Sequence, residues 1–130
     1  MIELRRFLLV AVFGIACVAC ASRPYVLPFA DGGPEPSPPS LEGRIGKVGP
    51  GEMTVEVNGI TGKSLDSIPV RVTTTTEIFT VYGGYVRPSA LVAGLRVRVW
   101  FTRPRKPRRD KAEDAATIMI ASKDPKDDWP

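Results

Sequence analysis

The sequence predicts an all-β domain, a five-stranded Greek-key barrel with one short helix between its third and fourth strands. Beyond residue 40, apolar and polar residues alternate with period two in five separate runs, the pattern of strands with one buried face. Glycine and proline residues separate these runs, and one short helical pattern precedes the fourth. The chain of 130 residues is long enough for one such domain with appendages.

The first two runs predict a hairpin. In the first run, 41–48, Leu41 and Ile45 share one face of the strand. A turn at 49–51, Gly-Pro-Gly, follows. The second run, 53–58, alternates three apolar residues with three polar ones, so its apolar face can pair beside that of the first.

The remaining elements follow the same reasoning. The third run spans 68–73, and its Pro69 indicates an edge or the start of a strand, because proline cannot donate to the ladder. Threonines 73–76 prolong this strand with β-branched residues. An early proline and a closing glycine predict one or two helical turns over 87–94. The fourth and fifth strands are predicted over residues 96–101 and 116–121.

Three strands, a short helix and two more strands is the element order of the OB fold, a partly open five-stranded barrel. We therefore predict an OB-like domain over residues 41–122, with a six-stranded sandwich as the structural alternative. The charged tail, 123–130, is expected to be flexible.

The N-terminus has the pattern of an export signal. Positive residues near Met1 precede an apolar run, 7–19, that is shorter than the roughly 20 residues a membrane-spanning helix needs. The run ends in Cys17-Val18-Ala19-Cys20, which resembles the lipobox of bacterial lipoproteins. The resemblance implies that residues 1–19 are a cleaved signal peptide and that Cys20 carries the lipid, with Cys17 as the alternative acceptor.

The lipobox resemblance also implies a location. Two or three acyl chains on Cys20 would hold the protein on a membrane. The residue after Cys20 is Ala21 and not an aspartate, which implies that the protein lies on the periplasmic face of the outer membrane in a bacterium that has one. The alternative is that both cysteines are ordinary apolar residues of a signal peptide or an uncleaved anchor.

Residues 20–40 are predicted to be the lipid attachment site followed by a tether. Six prolines between residues 24 and 40 prevent a helix or a strand ladder, which favours an extended spacer that holds the domain off the bilayer. The alternative is that an apolar stretch packs onto the domain as an extra strand; it comprises Tyr25, Val26, Leu27 and Phe29.

Composition argues against catalysis. The chain contains no histidine, so a Ser/His/Asp triad, a Cys/His pair or a histidine-based metal site cannot be built. Both cysteines lie in the N-terminal segment, and the acids of the core region are scattered singly, at Glu42, Glu52, Glu56, Asp66 and Glu77. We therefore expect no enzyme activity, no cofactor and no metal.

A cluster of cations lies between the fourth and fifth predicted strands, and we call residues 103–111 the basic loop. OB folds bind oligonucleotides and oligosaccharides through this loop and its neighbours, so its cations are candidate polyanion ligands. Candidate stacking residues are Trp100, Tyr82 and Tyr85. The alternatives are a solvated hairpin loop and, for the Tyr82 to Tyr85 stretch, a turn that packs its rings on the mouth of the barrel. The six cations are Arg103, Arg105, Lys106, Arg108, Arg109 and Lys111.

Five stretches of the domain carry a family likeness, to the small OB-like domains of the DUF5666 type in exported bacterial proteins and lipoproteins, whose function is unknown. The resemblance implies a barrel and supplies no catalytic residue. The stretches are Glu42-Gly43-Arg44-Ile45, Met53-Thr54-Val55-Glu56-Val57, Val70-Arg71-Val72-Thr73 with Thr76, 90–99 and Ala116-Thr117-Ile118.

Two functions fit these observations. The first is a non-catalytic envelope lipoprotein whose OB-like domain docks an envelope protein or gives structural support. The alternative is a module that binds anionic lipid headgroups, lipopolysaccharide or cell-wall polymers through the basic loop. Nucleic acid is disfavoured, because an exported, anchored domain rarely meets it.

Overall fold

The computed structural model describes residues 24–58 and 65–130, and it confirms the predicted fold class. Within these ranges the chain is all-β, with one 3-10 turn at Pro88–Ala90. The predicted signal peptide, 1–19, lies outside the described residues. The strands are β1 Leu41–Gly49, β2 Glu52–Asn58, β3 Leu65–Arg71, β4 Glu77–Thr80, β5 Arg96–Phe101 and β6 Glu113–Ile120.

Five of these strands close a barrel in the order β1-β2-β3-β6-β5, with β5 returning to β1. Neighbouring strands are antiparallel except β3 and β6, which pair in parallel where Val70 lies opposite Glu113. This connectivity is that of the OB fold. The remaining strand, β4, pairs in parallel with residues 117–120 of β6, on the same edge as β3 and opposite β5.

The predicted third strand is wrong at both ends. It begins at Leu65, three residues earlier than expected, and it ends at Arg71. The threonine run forms a turn instead of a strand, because side-chain hydroxyls take over its hydrogen bonds. The Thr73 amide donates to Thr76 Oγ1 at 2.9 Å, and Thr76 Oγ1 donates to the Ala115 carbonyl at 2.6 Å.

The sequence pattern did not reveal β4, which has only four residues. Its Ile78 and Phe79 are both buried, so it shows no alternation of apolar and polar residues.

The last strand, β6, contains a bulge that the prediction missed. Trp100 pairs with Thr117, whereas Phe101 pairs with Ala115, so β6 has one extra residue at Ala116. Ala115, not Ala116, is therefore buried.

The barrel interior holds the main core. Its fully buried members include Val55, Val70, Leu95, Ile118 and Ile120. Each large apolar side chain stabilises the fold by about 1.5–3 kcal/mol when it is fully buried. Burial of the apolar residues that alternate along the strands is therefore the principal source of the stability of the fold.

A second buried layer lies outside the barrel, on the outer face of β4, β5 and β6. Trp100 is 2 % exposed although it points away from the barrel core, and Phe79 and Thr117 are equally buried. We call residues 24–40 the strap, because they run across this face.

Hydrogen bonds hold the strap on the barrel. The Trp100 indole Nε1 donates to the Ser37 carbonyl at 2.8 Å, and the Tyr25 hydroxyl donates to the Phe101 carbonyl at 2.7 Å. The strap folds back on itself where Val26 and Ser37 exchange two bonds, at 2.8 and 2.9 Å. Over residues 24–40 the predicted free spacer is thus a docked segment. It contacts the domain as the alternative expects, but it is irregular and not a strand.

The tail, expected to be flexible, also contacts β5. The Arg98 guanidinium carbon lies 4.0 Å from the centroid of the Trp129 ring, a cation–π geometry. Asp128 Oδ1 lies 2.9 Å from Arg96 Nε. These contacts explain the tryptophan in an otherwise charged tail.

Candidate interaction surfaces

The register defines two ends of the barrel. At one end β1 ends at Gly49, β2 begins and β5 starts at Arg96; we call it the apolar end. At the other end β5 finishes at Phe101 and β6 starts at Glu113, so the basic loop joins them there; we call it the basic end. The antiparallel pairing of β5 with both β1 and β6 fixes this arrangement.

Half of the cations of the basic loop have carboxylate partners. Arg108 contacts Asp110 with two hydrogen bonds, at 2.9 and 3.1 Å. Arg105 Nη1 lies 3.9 Å from Glu113 Oε1, and Arg109 forms a salt bridge with Asp66 at the start of β3. These three arginines are therefore partly neutralised, and the loop is less available to a polyanion than its sequence indicates.

The Arg108–Asp110 pair stays ionised at neutral pH. The hydrogen bond from Arg108, more than any other contact, lowers the pKa of the Asp110 carboxyl below its usual value. The same hydrogen bond raises the pKa of the Arg108 guanidinium. The pair is exposed, so it shapes the local charge more than the stability of the fold.

The other three cations of the loop are Arg103, Lys106 and Lys111. All three are exposed, and within residues 24–58 and 65–130 no carboxylate oxygen lies within 4.0 Å of them. The part of the basic loop that can bind an external anion is reduced to these three side chains.

The predicted stacking residues are not brought together with the basic loop. Trp100 is buried under the strap and offers no ring face to a ligand, which corrects that part of the prediction. Tyr82 is 76 % exposed and Tyr85 is also exposed, but both follow β4, whose last residue pairs with Ile120 at the far end of β6. The seven residue steps from Glu113 to Ile120 set the two ends of β6 up to about 23 Å apart, at about 3.3 Å per residue.

The stretch between the two tyrosines is a turn, as the alternative expects, but both tyrosine rings are exposed and do not pack on the barrel as it also expects. Gly83 and Gly84 have φ of +89° and +85°, values that favour glycine. The Gly83 amide donates to the Thr80 carbonyl at 2.9 Å, and Thr80 Oγ1 donates to the Gly83 carbonyl at 2.7 Å.

OB folds bind oligonucleotides and oligosaccharides on the outer face of β2 and β3. In this protein that face has few side chains suited to binding such ligands. Arg71, its cation on β3, donates to Asp114 at 2.9 Å. No aromatic side chain lies on this face within the described residues, so bases or sugars have no stacking platform. Its outward-facing residues are Glu52, Thr54, Glu56, Ser67, Pro69 and Arg71.

The apolar end carries a groove that the sequence did not reveal. It has a volume of about 220 Å³, and its apolar walls come from both strands of the first hairpin, the segment after β3 and the 3-10 turn. Val48, at its rim, is 47 % exposed despite its size. The apolar lining residues are Val48, Met53, Val72, Pro88 and Leu91.

Five large apolar side chains of the described chain are exposed, and they lie in two places. Val48 and Val92 flank the start of β5, and the two tyrosines follow the end of β4. The tip of the strap reaches the second of these places, because the Ala30 carbonyl would lie 2.9 Å from a Cβ on Gly83. The set is Phe29, Val48, Tyr82, Tyr85 and Val92.

Within the described ranges, no group of three or more acidic or cysteine side chains could hold a metal ion. No helix in the same part of the chain is long and apolar enough to cross a membrane. No family model matches the sequence, and no curated protein or solved structure shows significant similarity to it.

Proposed function

We propose that the protein is a non-catalytic envelope lipoprotein that displays its OB-like barrel as a protein-interaction or structural module. One observation carries the proposal: an apolar groove of about 220 Å³ with the exposed Val48 at its rim shares no lining residue with the depression where the strap begins. An apolar groove with an exposed apolar side chain at its rim is typical of a docking site.

The position of the strap supports this proposal. Its first described residue, Pro24, lines the same shallow depression as Pro104 of the basic loop. An anchor on Cys20, four residues earlier, therefore attaches near the basic end, at a depression that shares no lining residue with the groove. A partner could reach the groove without competing with lipid.

The resemblances of the sequence support the same proposal. The lipobox-like Cys17 to Cys20 stretch supplies the anchor, and the likeness to DUF5666-type domains of exported proteins supplies a setting in which such barrels occur. A protein partner is favoured over an oligosaccharide because the β2–β3 face has no stacking residues within the described chain.

Site-specific photo-crosslinking in cells tests the proposal. A photoreactive residue placed at Val48 or Val92 of the full chain should give discrete crosslinked species, whereas one at the exposed Ser67 on the β2–β3 face should not. Adding Val48→Asp should abolish the crosslinks formed from position 92. The adjacent exposed Lys47→Asp is the matched control and should leave them unchanged.

The opposite pattern would reject the interaction site. If crosslinks form equally at Ser67 and Val48, or if Val48→Asp and Lys47→Asp act alike, the apolar end is not where a partner docks. Thermal unfolding of both variants should first show that each is folded.

A further inference from the structure

The strap joins the barrel directly beside the basic loop. The Tyr25 hydroxyl donates to the carbonyl of Phe101, the last residue of β5, two positions before Arg103. Pro24 and Pro104 line the same depression. The described chain therefore begins at the basic end, next to the cations that lack internal partners.

The distance from there to a lipid anchor is short. Pro24 follows Cys20 by four residue steps, and an extended chain spans at most about 3.5 Å per step, or about 14 Å in total. The Debye length at physiological ionic strength is about 8 Å, so the basic end is confined to within about two Debye lengths of the headgroups. A spacer of all 21 residues from Cys20 to Ser40 would have allowed a much larger separation.

The strap also restricts how the barrel can turn. Tyr25 and Trp100 each make a hydrogen bond between strap and barrel, and the exchange between Val26 and Ser37 closes the strap into one docked unit. The domain is therefore attached at a defined point and not through the whole length of the proline-rich segment.

We infer that the barrel rests on the membrane with its basic end down, and that Arg103, Lys106 and Lys111 bind the anionic headgroups of phospholipids. The inference rests on the proposed lipid anchor at Cys20. It assigns the lipid contact to the three cations without internal carboxylate partners and gives the paired arginines a lesser part. Pro104 and Pro107 favour an extended loop, which suits contact with a flat surface.

Each cation near an anionic surface shifts the equilibrium between resting and lifted states by about fivefold. Removing all three should therefore shift this equilibrium by up to about a hundredfold at low salt, and by less as salt screens the surface.

The experiment uses the acylated protein purified from membranes and reconstituted into vesicles of phosphatidylcholine, with or without phosphatidylglycerol. A fluorophore is attached to a single new cysteine, either Thr102→Cys at the basic end or Ser89→Cys on the 3-10 turn, both exposed. Lipids with a nitroxide on the headgroup quench a fluorophore that lies at the surface. Co-flotation with the vesicles and the intact mass report separately whether the protein is anchored.

We expect strong quenching at position 102, little at position 89, and a difference that requires phosphatidylglycerol. The variant Arg103→Ser/Lys106→Ser/Lys111→Ser should lose the quenching at position 102. A matched variant that removes three exposed cations elsewhere, Arg87→Ser/Lys123→Ser/Lys126→Ser, should keep it.

Protein that floats with the vesicles but shows equal quenching at both positions, or equal loss in both triple variants, would overturn the inference and leave the lipoprotein proposal intact. Protein that carries no acyl group and does not float would overturn both.

Discussion

The docked strap leads to a direct test on Trp100. The Trp100→Phe substitution removes the indole donor that bonds to the Ser37 carbonyl and leaves a smaller ring in a site that is 2 % exposed. Losing one such hydrogen bond costs about 0.5–1.5 kcal/mol, and the lost packing adds a comparable amount. We expect the free energy of unfolding to fall by about 1–3 kcal/mol, which lowers the Tm by roughly 4–24 °C for a domain of this size.

Thermal unfolding followed by circular dichroism measures the effect, and limited proteolysis reports the strap itself. The variant should be cleaved within residues 24–40 faster than the native protein, because Trp100 fixes this segment. Tyr82→Phe is the matched control: its side chain is 76 % exposed, so its Tm should not change measurably. Equal Tm values for Trp100→Phe and Tyr82→Phe, with unchanged cleavage, would refute the docking of the strap.

Three further outcomes are expected. Gly43→Ala should lower the free energy of unfolding by at least about 2 kcal/mol, because the new methyl group would collide with a backbone carbonyl of β2. Gly49→Ala on the same strand is the control, since the atom nearest to its new methyl group is 3.8 Å away. Asp110→Asn should release Arg108 and increase the quenching at position 102 on phosphatidylglycerol vesicles. In the native protein the Arg108–Asp110 pair should persist from pH 8 to about pH 5, because the pKa of Asp110 is lowered and the carboxylate is protonated only below that range. Trp129→Ala should lower the free energy of unfolding by about 0.5–1 kcal/mol through loss of its cation–π contact, measured by urea denaturation; an unchanged midpoint would mean that the tail does not hold to β5.

The barrel could be predicted because alternation of apolar and polar residues identifies a strand whenever one of its faces is buried and the other is exposed to solvent. This holds for β1, β2 and β5, where Ile45, Val55 and Val97 alternate with polar residues. It fails for β4, where Ile78 and Phe79 are both buried because the two faces of the strand are covered. The bulge at Ala116 was equally hidden, since it changes the register without changing the composition of the strand.

The strap could be anticipated only as an alternative. Trp100 occupies a position on β5 that faces outward with Arg96 and Arg98, and an exposed tryptophan there was as consistent with stacking on a ligand as with burial. The deciding contact comes from Ser37, which lies 63 residues away in sequence. Local patterns carry no information about a contact at that separation.

The basic loop shows the same limit for a charged surface. Its six cations are evident in the sequence, but Asp66 on β3, the partner of Arg109, becomes a neighbour of the loop only through the pairing of β3 and β6. The apolar groove was missed for a related reason. Val48, Val72 and Leu91 each belong to a segment that reads as ordinary strand or loop, and only closure of the barrel brings them together.

Attachment of lipid to Cys20 is the claim on which both the proposed function and the membrane orientation depend. Intact-mass and peptide mass spectrometry of the membrane fraction, for the native protein and Cys20→Ala, measures it directly. We expect a mature N-terminus at an acylated Cys20, with neither cleavage nor acylation at this position in the variant. A chain that keeps residues 1–19 without acylation, or that leaves the membrane fraction unmodified, would contradict the assignment of this protein as an envelope lipoprotein.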